Sequence, residues 1–220
     1  MPLDTSFENA PAELIVRAAL EEGAALVSSF GASSAVLLYM AAREDRDAPV
    51  LVVDTGMLFT ETLRYVEQLS DHLGLTNLQV VRPEREALFG GDPDGILHLA
   101  DPKACCALRK RAPLDAALAP FPAWITGRQR HQTRARGGMA VVEAQDGKTK
   151  YNPLAAWGPG EASAYMDRHA LPRHPLSAAG YASIGCAPCT TPVGAGEDPR
   201  AGRWRDIGIE ACGIHQGDRT

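Results

Sequence analysis

Three short apolar runs, the first two each released into a loop and then a helix-length segment, restrict the fold of this chain more than any other feature. Residues 24–29 end in Phe30-Gly31-Ala32-Ser33-Ser34, and residues 35–42 behind them are continuously apolar and helix-favouring. Pro49-Val50-Leu51-Val52-Val53 ends at Asp54-Thr55-Gly56, and residues 60–73 carry an amphipathic helical pattern that Gly74 stops. Leu78-Gln79-Val80-Val81 is a third strand, and Ala123-Trp124-Ile125-Thr126 a fourth. Strands alternating with helices at this spacing demand right-handed crossovers, hence a parallel sheet with helices on its faces. Ligands of such sheets bind beyond the carboxyl ends of the strands, where the 28–34 and 54–56 loops both lie.

The remaining elements are read more locally. A helix over residues 13–20 has Asn9 as its cap, Pro11 in its entry and Gly23 as its stop. Residues 82–102, rich in Gly, Pro and Asp, read as a loop with short turns, and Asp101-Pro102 starts the helix that carries Cys105, Cys106, Arg109, Lys110 and Arg111. Runs at 140–143 and 148–151 flank an Asp146-Gly147 turn and predict a hairpin. A short helix is expected over 160–168, and little regular structure from Leu171 onward.

At 220 residues the chain is the size of one large domain. We divide it into an α/β domain over 1–191 and a flexible C-terminal segment over 192–220, whose Pro- and Gly-rich start predicts a hinge. A formal net charge of −5 argues against coating nucleic acid or an anionic membrane through the overall field, so an anionic ligand must be met locally. No apolar run approaches the ~18 residues of a membrane span, and Met1-Pro2-Leu3-Asp4 lacks the features of a signal peptide. A cytoplasmic location is expected, where thiols stay reduced and paired cysteines serve as metal ligands or redox groups.

The 28–34 loop offers small side chains at the mouth of a helix, suited to a phosphate or sulfate, although the same residues also make an ordinary tight turn. Residues 127–138 add four arginines within nine positions, Arg128, Arg130, Arg134 and Arg136, whose guanidinium groups match the oxygens of such anions. Together the two loops point to a small nucleotide-like polyanion. The five cysteines divide four plus one. Cys186-Ala187-Pro188-Cys189 has metal-ligand spacing, whereas Cys105 and Cys106 are neighbours whose side chains diverge by ~100° on a helix. A single zinc prefers two gapped pairs, so the adjacent pair tilts the reading toward an iron–sulfur cluster. Cys212 is left over, with His215 after it and Arg203, Trp204 and Arg205 before it. A thiol beside cations is shifted toward the reactive thiolate.

In order, Ser29-Phe30-Gly31-Ala32, the stretch from Val53-Asp54-Thr55-Gly56 to Thr62, Cys105-Cys106-Ala107-Leu108-Arg109-Lys110-Arg111, Trp124-Ile125-Thr126-Gly127-Arg128-Gln129-Arg130-His131-Gln132, Gly180 to Thr190 around the Cys-x-x-Cys, and Cys212-Gly213-Ile214-His215 resemble the assimilatory sulfonucleotide reductases. The likeness is greatest to the iron–sulfur adenosine 5′-phosphosulfate (APS) reductases and covers roughly residues 24–215. It implies a Rossmann-like single domain similar to the adenine-nucleotide α-hydrolases, acting in sulfate assimilation and cysteine biosynthesis. It implies a [4Fe-4S] cluster on Cys105, Cys106, Cys186 and Cys189, with a structural and electrostatic role. Cys212 is then the nucleophile toward the sulfur of APS, and thioredoxin or glutaredoxin the reductant of the resulting S-sulfocysteine. Residue by residue, the resemblance gives Lys110, Arg130, Arg200 and Arg203 as substrate contacts, with Ser29, Gly31, Asp54 and Gly56 lining the nucleotide site. Two positions depart from the family pattern: Ala211 replaces a usual Glu, and His131 a usual Asp. The rival substrate is the 3′-phosphorylated nucleotide (PAPS), whose reductases typically lack the four cluster cysteines. Rivals from other classes are an ATP-pyrophosphatase-type adenylating enzyme and a zinc-stabilised nucleotide-binding module. Oligomeric state stays open.

Overall fold

A computed structural model describes residues 7–205 and 207. The elements run α1 (Ala12–Glu21), β1 (Ala25–Ser28), α2 (Ala35–Glu44), β2 (Val50–Val53), α3 (Thr60–Leu73), β3 (Leu78–Val81), α4 (Arg85–Gly91), α5 (Leu97–Ala100), α6 (Pro102–Cys106), α7 (Ala112–Leu118), β4 (Ala123–Thr126), β5 (Val142–Gln145), β6 (Lys148–Tyr151) and α8 (Glu161–Arg168). The six strands form one sheet in the order β3-β2-β1-β4-β6-β5. All neighbours are parallel except β5 against β6. The α/β class with a largely parallel sheet is thus the one the strand–helix alternation requires.

Strand parity decides the two layers. Leu26, Val50, Val52 and Ile125 face a large core shared with α1, α2, α3 and α8, while Ala25, Leu51 and Trp124 face a smaller one capped by Leu114 and Leu118 of α7. From β1 the chain runs outward through β2 to β3, then returns to place β4 on the other side of β1. That reversal opens a crevice at the carboxyl ends of β1 and β4, which fixes where a ligand binds. No described helix is long and apolar enough to cross a membrane.

Several boundaries fall where local chemistry put them. Gly74 closes α3 in the left-handed conformation, and Asp146 and Gly147 both take positive φ in the β5–β6 turn. Asp101 caps α6 by accepting from the amides of Lys103 and Ala104 at 3.0 and 2.9 Å. Two expectations are corrected. Asn9 is not the cap of α1: Pro11 occupies that position, and its carbonyl accepts from Leu14 and Ile15 instead. Residues 82–102 hold the seven-residue helix α4 as well as the short α5, because Asp92 anchors the segment from a distance. Its carboxylate accepts from the Leu97 amide at 2.8 Å and from Arg109 at 2.6 Å. Between α6 and α7, Ala107–Arg111 forms one π-helical turn, a feature frequent at functional sites.

Candidate active site

The loop after β1 is tightly wound. Ser28 Oγ accepts from the Phe30 amide at 3.1 Å, and Ser34 Oγ from the Gly31 amide at 2.8 Å. Phe30 is fully buried with φ of +47°, a strained conformation for an aromatic residue that its packing enforces. A Cβ at Gly31 would lie 3.4 Å from Ser29 Oγ and 3.5 Å from the Ile184 carbonyl, so the small residues bring backbone close to whatever the loop holds. Above it opens a cavity of about 1660 Å³, into which Ser29, Gly31, Lys110, Arg200 and Arg203 all project a wall.

The four paired cysteines come together behind that cavity. Cys105 and Cys106 on α6 line a small pocket with Cys186 and Cys189, which flank the turn Ala187–Cys189. The turn is held by the Ala187 amide on the Met57 carbonyl at 2.8 Å and by Thr190 Oγ1 on the Cys186 carbonyl at 2.8 Å. Thr55 Oγ1 sits 3.3 Å from Cys186 Sγ. Arg109 forms the pocket's cationic wall, clamped by both nitrogens on Asp92 and by Nη1 on the Thr55 carbonyl at 3.0 Å. Burial pushes the Cys105 thiol up and Arg109 opposes the shift. Among the described residues no three His, Cys, Asp or Glu side chains are arranged to hold a single metal ion. Lys110, Arg203 and Trp204 line both spaces and so form the partition between them.

The strap bearing Arg200 and Arg203 is pinned to the Cys-x-x-Cys turn. The Thr191 amide donates to the Gly202 carbonyl at 2.8 Å and the Trp204 amide to the Cys189 carbonyl at 3.1 Å. Arg203 lies across Gly185, where a Cβ would come within 2.3 Å of its guanidinium, and stacks 4.4 Å from the Trp204 ring centre. Arg200 Nη1 donates to Ser183 Oγ at 3.4 Å. Cys212 lies outside the described residues.

Three sequence-derived contacts sit elsewhere. Asp54 accepts from the Gly56 amide at 3.0 Å and pairs with Arg82 at 3.1 Å, outside the cavity lining. Gly56, with φ of +72°, lies against Arg109 rather than the cavity. Arg130 is turned to the back of its loop, bonded to Glu8 at 2.6 Å and to the Met139 carbonyl at 2.7 Å. Arg128 and Arg136 line the cavity in its place. Arg128 stands two residues beyond the buried strand residue Thr126 and bonds to its hydroxyl, a contact that nothing in the sequence distinguishes from the other arginines of the loop.

With this geometry in view, residues 23–192 match the model of the phosphoadenosine phosphosulfate reductase domain. The chain belongs to this family. A relative from Chelativorans sp. (strain BNC1) named adenosine 5′-phosphosulfate reductase is 48% identical over 220 residues, covering 98% of this chain and 90% of the other. A Mesorhizobium japonicum protein of the same name is 50% identical over 208 residues, covering 93% and 82%. The crystal structure of a phosphoadenylyl-sulfate reductase from Candida auris in complex with phosphate superposes with a TM-score of 0.72 at 23% identity, covering 84% of this chain and 93% of that one, which establishes the shared fold.

Within this reductase domain a buried polar network backs the cavity wall. Arg128, 9% exposed, donates to Asn152 Oδ1 at 3.0 Å, to Thr126 Oγ1 at 3.3 Å and to Glu143. Asn152 reaches Glu143 Oε2 from its other end at 3.0 Å. Lys150, 1% exposed, lies 4.6 Å from the centre of the Trp124 ring and donates to Gln145 Oε1 at 2.6 Å. This network was not legible in the sequence, because Lys150 follows Lys148 and Thr149 in a hairpin whose composition reads as a polar strand.

Proposed function

We propose that this chain reduces APS to sulfite and AMP in sulfate assimilation. The observation that carries the reading is the shared partition: Lys110 and Arg203 face a polyanion-sized cavity on one side and a four-cysteine pocket on the other. The names of the relatives at 48% and 50% identity support APS over its 3′-phosphorylated form.

In this mechanism the backbone of the 28–34 loop and the guanidinium groups of Arg200 and Arg203 hold the phosphate and sulfate, neutralising charge that would repel a thiolate. Cys212 supplies that thiolate. It attacks the sulfate sulfur, an S–S bond forms, the bond from sulfur to the bridging oxygen breaks, and AMP leaves with the electron pair. A thioredoxin or glutaredoxin thiolate then attacks Cys212 Sγ and sulfite leaves with two electrons. The reductant's second thiol resolves the mixed disulfide, so its dithiol ends oxidised.

Cys105, Cys106, Cys186 and Cys189 line one small pocket beside Arg109, and an all-thiolate donor set of this kind suits an iron–sulfur cluster, which these four residues would hold. When bound, the cluster supplies structural cross-linking and local electrostatic field beside Lys110.

The test is intact mass and peptide mapping after mixing the protein with APS and no thiol. A sulfonate-sized increase on the Cys212 peptide is expected, and none from Cys212→Ser. Sulfite release by Cys212→Ser at the wild-type rate would refute the assignment. Anaerobically purified protein is expected to be brown, with absorbance near ~400 nm that Cys105→Ser loses; stoichiometric zinc without iron would refute the cluster.

A further inference from the structure

Gln129 is 4% exposed and lines the large cavity, and its side-chain nitrogen has no hydrogen-bond partner among the described residues. Which end of this carboxamide is the nitrogen is decided by its neighbours. Arg136 Nη1 and the Gln129 backbone amide, which can only donate, both point at Gln132 Oε1, so the other end of Gln132 is its NH2 group. That group donates to Gln129 at 3.0 Å, and the Gln132 backbone amide donates to the same side chain, so the receiving atom is Gln129 Oε1. The chain of donors has one direction, from Arg136 through Gln132 to Gln129, and it ends on an NH2 group with nothing to receive its hydrogens. A buried donor left in that state is costly, and native interiors seldom keep one.

Three apolar side chains stand around the same loop. A Cβ at Gly127 would lie 3.4 Å from Leu37 Cδ1, Arg130 Nε donates to the Met139 carbonyl at 2.7 Å, and the Arg130 amide donates to the Ala155 carbonyl, next to Leu154, at 3.0 Å. Leu37, Met139 and Leu154 all line the cavity. Such a wall suits a flat, neutral ring, with one polar group to orient it, better than it suits an oxyanion. We propose that Gln129 determines specificity for the nucleobase, its side-chain N–H donating to an unprotonated ring nitrogen of adenine. A neutral donor there meets a neutral acceptor, while the phosphate and sulfate stay with the 28–34 loop, Arg200 and Arg203. Because Gln132 holds the oxygen end, the carboxamide is oriented before the ligand arrives. The inference rests on the adenylate reading of the cavity.

The test is calorimetric titration of AMP, adenosine and the 1-deaza, 3-deaza and 7-deaza analogues of AMP, each lacking one ring nitrogen, into the full chain and two variants. The wild type is expected to bind one analogue roughly 5- to 100-fold more weakly than AMP, because that analogue leaves the buried donor unmet, and the other two with smaller losses. Gln129→Leu is expected to lose AMP and adenosine affinity alike, by about that same factor, and no longer to distinguish AMP from the weak analogue. Gln129→Glu keeps an oxygen for Gln132 to donate to and loses only the N–H, so adenosine affinity should fall while the thermal midpoint stays near native. A Gln129→Leu protein that loses AMP but not adenosine would place the amide on the phosphate and overturn the inference. Equal binding of AMP and all three analogues by the wild type, or the same analogue preference in folded Gln129→Glu, overturns it as well and leaves the adenylate reading intact. Absence of AMP binding to the wild type overturns both.

Discussion

Gly185→Ala isolates the contribution of one guanidinium without removing it. A Cβ at Gly185 would stand 2.3 Å from Arg203 Nη2, 2.5 Å from its Cζ and 2.9 Å from Nη1, all far inside contact distance. No positive φ is required at Gly185, so the added methyl costs no backbone strain. The clash falls on the far end of a flexible side chain, which swings away, and the expected loss of stability is under about 1 kcal/mol. What is lost is the placement of Arg203 between the cavity and the cysteine pocket. One charge-assisted hydrogen bond to an anion contributes about 1.5–3 kcal/mol, so AMP and APS affinity should fall roughly 10- to 150-fold. Gly202→Ala is the contrast: its Cβ would lie 2.0 Å from the Thr191 carbonyl oxygen, which is backbone and cannot swing, so the strap itself must lift. Paired measurements of AMP Kd and thermal midpoint separate the two. Gly185→Ala should change Kd with a near-native midpoint, whereas Gly202→Ala should change both. An AMP Kd within twofold of wild type for a folded Gly185→Ala protein would refute the assignment of Arg203 to the anion.

Other expectations follow from buried groups. Asp92→Ala leaves Arg109 charged and without its clamp in a pocket where the pair is almost fully buried, at a cost of about 3–5 kcal/mol, read as a lower denaturation midpoint and loss of bound iron. His174 is buried, accepts from the Leu176 amide and bonds to Thr62 Oγ1 at 3.0 Å, and burial brings its pKa down to about 4. Its unfolded value is near 6.5, so between about pH 6.5 and 4 the unfolded chain binds a proton that the native state refuses, and stability falls as pH falls through that window. The loss approaches about 3 kcal/mol, and His174→Gln should flatten that part of a stability profile measured by denaturant titration. Arg130→Gln, which breaks the bond to Glu8 and leaves the cavity lining untouched, should lower the thermal midpoint while changing AMP Kd less than Gly185→Ala does.

What was legible in the sequence was whatever local chemistry decides. Residues 60–73 form α3 to the residue, because an amphipathic pattern and a left-handed glycine determine it without reference to the rest of the chain. The β5–β6 turn, the Asp101 cap and the strand-to-loop order were legible for the same reason. Gathering the four cysteines was legible in their two close pairs, and the resemblance pointed to the same four residues. Long-range pairing was not legible. Asp92 reaches Arg109 across 17 residues and makes a helix-bearing arm of a stretch whose composition reads as loop. The arginine loop shows the same limit at a finer scale. Its four cations look equivalent in sequence, yet the Gln129–Gln132 capping box turns Arg130 toward Glu8 and leaves Arg128 facing the cavity.

The electrostatics of the site follow from that sorting rather than from composition. The chain carries a formal charge of −5, yet Lys110, Arg128, Arg136, Arg200 and Arg203 share one cavity. Glu143 and Asp146 stand with Arg128 at the hairpin end and Asp198 beside Arg200, while Lys110 and Arg203 stand beside the cysteine pocket. A polyanion in this cavity therefore meets fixed cations on more than one wall. Charge that develops on a transferring sulfonate is stabilised most by the cations fixed next to it. Lys110 and Arg203 hold that place if the sulfate lies on the side of the cysteine pocket and the adenylate toward Arg128. Lys110→Met and Arg203→Met should accordingly lower the rate of Cys212 sulfonation by more than they lower AMP affinity, and Arg128→Met should do the reverse.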